Sequence, residues 1–133
     1  MKITSFLACE FANSEPTGKV NLIGAGIDQV YAASFPAIVE LYLFLHCISE
    51  HDDGPGFKKG RIRLMGDDGL QWDRPIQMLV TEDKPASVLI RKVRFRFTAP
   101  GPFRLECTLV ESQMTATWTI QVRPRSGPPL SPN

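Results

Sequence analysis

Residues 87–122 read SVLIRKVRFRFTAPGPFRLECTLVESQMTATWTIQV, and three successive segments within them alternate apolar with polar side chains. Val93, Phe95 and Phe97 alternate with Lys92, Arg94 and Arg96. Phe103, Leu105, Cys107 and Leu109 alternate with Arg104, Glu106 and Thr108; Ala116, Trp118, Ile120 and Val122 alternate with Thr115, Thr117, Thr119 and Gln121. A period of two sends one set to a buried sheet face and the other to solvent. The APGP and ESQ segments between them have turn length, so the spacing predicts a three-stranded antiparallel meander.

The rest of the chain continues the β pattern. ITSFLACEFA reads as a first strand, closed by the turn-forming NSEPTGK, and KVNLIGAGIDQVY reads as a second, with Gly24 and Gly26 marking a bulge or a close approach. Phe35-Pro36 breaks the pattern, because proline has no amide to donate and extends the residue before it. Ile38 to Ser49 is the most apolar segment and predicts a central strand. HDDGPG (51–56) is a loop by composition, Gly60 to Met65 a short strand, and Gly66-Asp67-Asp68-Gly69 a hairpin turn. Leu70 to Val80 follows, marked by Pro75 as an edge or bulged strand, and TEDKP (81–85) turns the chain back. About eight strands with no helical periodicity predict an all-β, antiparallel β-sandwich.

The chain has 133 residues, 43% hydrophobic and 22% charged, which fits one globular domain over 1–123. The segment 124–133 holds four prolines and no apolar period, and reads as a flexible tail. Glu10 arrives before a signal-peptide core could finish, and no run approaches a membrane span, so the expected compartment is the cytoplasm, away from membranes. Cys9, Cys47 and Cys107 each fall among apolar strand neighbours, where cysteine packs as a small hydrophobe. Charge is uneven. Residues 1–56 carry two lysines against seven acidic residues, net −5, whereas 57–104 carry eleven basic against five acidic residues, net +6.

Neither a catalytic nor a cofactor-binding pattern is present. GxSxG and GxxxxGK[ST] are missing, and Gly24-Ala25-Gly26 lacks the third glycine and helix of a dinucleotide site. His51-Asp52-Asp53 is a run of adjacent residues, which rarely converge on one ion. The expectation is therefore a non-enzymatic protein with no cofactor and no metal. One face of strand 38–49 presents Glu40, Tyr42, Phe44, His46 and Ile48, too apolar for full solvation. Tyr42, Phe44, His46 and Ile48 are accordingly the candidate contacts for a protein partner, as a homo-oligomer or an accessory subunit. The alternative is a nucleic-acid- or phosphate-binding face made by Lys92, Arg94, Arg96 and Arg104, extended by Arg61 and Arg63. Its weakness is that Phe95 and Phe97 point into the core and offer no base-stacking platform. A small-ligand site would need Trp72, Tyr31 or Tyr42 exposed in a concave face.

Cys9-Glu10, Gly18-Lys19, Leu22, Gly24, Phe35-Pro36 and Pro100-Gly101 together resemble the pattern of a family of small uncharacterised bacterial proteins, a domain of unknown function. The likeness spans most of residues 5–122 and departs from the pattern at Pro102-Phe103. It implies a bacterial or phage source and an immunoglobulin- or C2-like sandwich, and transfers no catalytic residue.

Overall fold

Strand 38–49 shows how the alternation is used. Leu41, Leu43, Leu45 and Cys47 are almost wholly buried, and their even-numbered neighbours face the other way. In a computed structural model, which describes residues 1–50, 54–81, 85–111 and 113–125, the same logic builds nine strands. They are β1 (Lys2–Ser14), β2 (Val20–Ala25), β3 (Gln29–Ala32), β4 (Ala37–Ile48), β5 (Gly56–Gly66), β6 (Gly69–Val80), β7 (Ala86–Phe97), β8 (Gly101–Leu109) and β9 (Thr115–Pro124). Among the described residues no helix is long and apolar enough to cross a membrane.

Two sheets form, ordered β2-β1-β4-β7 and β3-β9-β8-β5-β6. Their facing sides share one core, in which Phe95, Phe97, Leu43, Leu45, Ile62, Leu64, Leu105 and Ile120 are fully enclosed. The fold is thus a β-sandwich. With β4 and β7 taken as strands B and E, and β6, β5, β8 and β9 as C′, C, F and G, the sheet order is that of an immunoglobulin domain. One pairing departs from the antiparallel expectation: β3 runs parallel to β9, Gln29 opposite Gln121.

Two expectations are corrected. The meander over 87–122 does not exist, because β8 and β9 pair while β7 pairs with β4 in the opposite sheet. Alternation reports which side chains enter the core but not from which sheet, since both sheets bury one face in the same place. Between β7 and β8 the chain crosses the sandwich. Phe97 at the end of one strand and Phe103 at the start of the other meet edge-to-face across that crossing, 4.7 Å between ring centroids. KVNLIGAGIDQVY is likewise two strands in different sheets. Gly24 and Gly26 both take positive φ (62° and 82°), which ends β2 and lets the backbone turn across. The amides of Gly26 and Ile27 then both donate to the Ala8 carbonyl, and the Trp118 indole donates to the Ile27 carbonyl at 2.7 Å.

The short strand expected over Gly60–Met65 is longer, running from Gly56 of the predicted loop to Gly66. Gly66 pairs with Gly69 around a two-residue turn, and β6, which carries Pro75, is a sheet edge. The expectations for His51-Asp52-Asp53, for residues 82–84 of TEDKP, for Ser112 of the ESQ turn and for 126–133 of the tail lie outside the described residues. β9 continues through Pro124, one residue into the predicted tail.

Candidate functional site: the outer face of the four-stranded sheet

The two outward faces differ in character. On the five-stranded sheet, β8 and β9 turn out Arg104, Glu106, Thr108, Thr115, Thr117 and Thr119, and β5 turns out Arg61 and Arg63. Arg61 pairs with Asp73 and Arg104 with Glu106, both at 2.6 Å. Charge is locally cancelled here, and Phe57 and Leu79, opposite each other on β5 and β6, are exposed on the same face.

On the four-stranded sheet apolar groups lie among the charged Lys2, Glu40, Arg94 and Arg96. β1 carries the cause in its sequence. Phe6 and Ala8 enter the main core while Leu7, Cys9 and Phe11 lie on the other side, so the strand is apolar on both faces. Register then assembles the outer face row by row. Ile23 lies beside Phe11, Cys9 beside Tyr42, and Leu7 beside Phe44, which in turn faces Leu89. Ile38 and Ile48 occupy the two ends of β4, opposite Arg96 and Lys2.

Within this face the four sequence-predicted partner residues have different fates. Tyr42 is not exposed: it is 5% accessible, with Phe11 tilted over it at 5.2 Å. With Cys9 and Ala12 it makes a second buried cluster, against which Leu7, Leu22 and Leu89 pack. The chain itself covers this position, because the β1–β2 hairpin brings its own apolar groups over β4. Phe44 and His46 are half-buried, their rings stacked at 6.3 Å and 28°. Thr4, in the β1 bulge, shares a hydrogen bond with His46 Nδ1 and donates from the same hydroxyl to the His46 carbonyl at 3.0 Å. Ile48 is exposed. Phe11, Ile23 and Ile38, missed by the sequence reading, are exposed too, Ile38 at 60%. The signal for Phe11 was the unbroken apolar run of the first strand. That for Ile23 needed the β1–β2 register.

The alternative basic surface does not form as one face. Lys92, Arg94 and Arg96 lie on β7 in the four-stranded sheet, whereas Arg104 lies on β8 in the other sheet, on the opposite side of the molecule. The reason is the crossing at 98–100. Arg61 and Arg63 accompany Arg104, not β7. On β7 itself, Arg94 faces Glu40 in register, and a bulge opposite Tyr42 holds Lys92 at φ 53°.

All three cysteines are buried free thiols. Burial raises the pKa of each, Cys47 to about 11 and Cys107 to about 12, so none is primed as a nucleophile. The Cys9 thiol donates to the Tyr42 carbonyl at 3.5 Å. Among the described residues no group of three or more His, Cys, Asp or Glu side chains could hold a metal ion. Trp72 is half-buried, edge-on to Phe95 across the two sheets at 5.2 Å, and Tyr31 is exposed on the edge strand β3.

The strand order defines an immunoglobulin-like sandwich, with apolar and charged groups on both outer faces. The chain belongs to a family of unknown function (DUF6941), whose sequence profile matches residues 4–123. No curated protein matches it.

Proposed function

We propose that this protein is a non-enzymatic binding module whose four-stranded sheet packs its outer face on another polypeptide, as a homo-oligomer or an accessory subunit. The observation that carries the reading is the set of exposed apolar side chains on this face: Phe11 beside Ile23, and Ile38 and Ile48 at the two ends of β4 with the half-buried Phe44 between them. Strands about 4.8 Å apart, with about 3.3 Å per residue, give four such strands a face of roughly 700 Å². A standard protein–protein interface takes about 800 Å² from each partner. Lys92, Arg94 and Arg96 flank this face along the edge strand β7, and Glu40 lies within it opposite Arg94.

Sedimentation equilibrium of the wild type and of an Ile23→Glu/Ile38→Glu variant tests this. Self-association should appear in the wild type and vanish in the variant, with the far-UV circular dichroism unchanged. If the partner is a different protein, affinity capture from the native cell should retain it with the wild type and lose it with the variant. A wild type that stays monomeric and captures the same proteins as the variant overturns the reading.

A further inference from the structure

A second surface lies on the flank of the sandwich, where β6 and β7 run side by side with no strand between them. Among the described residues each is the last strand of its sheet, β6 paired only with β5 and β7 only with β4. The space between them is a groove of about 400 Å³. Its walls are Arg74 and Ile76 from β6, and Val88, Ile90 and Arg91 from β7. An edge strand presents unpaired N–H and C=O groups that accept a further strand.

The two edges are not equivalent. Pro75 removes a backbone donor from β6 beside the groove, whereas β7 contains no proline. On β7 the bulge at Lys92 interrupts regular pairing, which leaves Ala86 to Ile90 as the uninterrupted stretch along the groove. Charge then selects the occupant. Arg74 and Arg91 line the groove, and Lys92, Arg94 and Arg96 continue along β7. Arg91 is held by the neutral Ser14 hydroxyl at 3.2 Å, so its charge is not cancelled. Among the described residues, Arg74, Lys92, Arg94 and Arg96 make no ion pair. This row of cations repels a second copy's β7, and attracts a strand carrying carboxylates.

We infer that the β6–β7 groove is a docking site for an extended acidic peptide, which adds to β7 at Ala86–Ile90 as a fifth strand of the four-stranded sheet. Alternate apolar side chains of the peptide enter between Ile76, Val88 and Ile90, while its acidic side chains, on the outward side of the added strand, meet Arg91, and Arg74 adds positive charge at the groove's inner wall. This site adjoins the β7 margin of the outer face, and its test requires no partner for that face.

Fluorescence anisotropy with a labelled decapeptide alternating valine with glutamate measures it directly. The peptide should bind, weaken as salt rises, and lose at least tenfold in affinity to an Arg74→Glu/Arg91→Glu variant that melts like the wild type. The same peptide with every backbone amide N-methylated, which leaves no backbone donor for a sheet, should not bind, nor should its lysine-for-glutamate counterpart. No binding of the acidic peptide overturns the inference. Undiminished binding of the N-methylated peptide does so too, since it would show charge attraction without strand addition.

Discussion

Cys47 and Cys107 are wholly buried in the main core, and their thiols tie stability to pH. Burial is the main cause of both raised pKa values. The nearby N-terminal ammonium partly opposes it at Cys47, and the charge of Cys47 adds to it at Cys107. A raised thiol pKa means the folded state favours the neutral form. That contribution is complete below the unfolded value of about 8.5, and is lost as pH climbs toward about 11 and about 12. Urea unfolding midpoints should therefore fall more steeply above pH ~8.5 in the wild type than in a Cys47→Ala/Cys107→Ala variant; parallel profiles would remove the thiols from the explanation. Gly60 gives a second residue-scale test. A Cβ there would sit 2.9 Å from the Thr108 carbonyl oxygen, with Ile76 and Leu109 side chains at 3.2 Å. Because the nearest atom is backbone, β5 and β8 must part to admit it, and Gly60→Ala should cost about 1–3 kcal/mol. Gly54 has open space around it, so Gly54→Ala should change stability by no more than about 0.5 kcal/mol. Denaturant titration of both variants checks the contrast.

At the scale of elements, β4 shows what the sequence makes legible. Its two faces were readable from alternation, and its central place follows from having pairing partners on both sides. Leu43, 1% exposed, should lose about 2–5 kcal/mol on truncation to alanine. Ile38→Ala on the outward face of the same strand should stay within about 0.5 kcal/mol in the dissociated chain. Equal costs would mean that the outer face is covered in the monomer. The sequence hid the pairing partners. Nothing in VRFRF and FRLEC separates two neighbours in one sheet from two strands facing each other across a core, since both arrangements bury the same phenylalanines. The candidate site suffered from the same gap. Phe44 and Ile48 could be named from one strand, but covering Tyr42 required Phe11, which lies two residues past Cys9, where the β1–β4 register ends opposite Tyr42. The basic patch failed for the complementary reason, because side chains of like pattern on β7 and β8 emerge on opposite sides of the sandwich.

For the whole molecule, the aromatic groups decide whether two sheets behave as one unit. Trp72 of β6 stacks edge-on against Phe95 of β7, and Phe97 of β7 meets Phe103 of β8; both contacts cross between sheets. Phe95 and Phe97 are themselves neighbours at 6.2 Å, which joins the two crossings into one buried aromatic chain. Neither sheet keeps a covered face if the other leaves, because every strand but β2 packs apolar side chains on the shared core. Unfolding should accordingly be a single cooperative transition. Trp72 fluorescence, with Trp118 replaced by phenylalanine, reports the contact between sheets, and far-UV circular dichroism reports the strands. The two urea curves should coincide. A fluorescence transition that precedes the loss of β signal would show the sheets separating first, and would locate the weaker coupling at the β6–β7 flank. A strand bound along β7 adds backbone hydrogen bonds at that flank, so the acidic peptide should raise the common midpoint without splitting the transition.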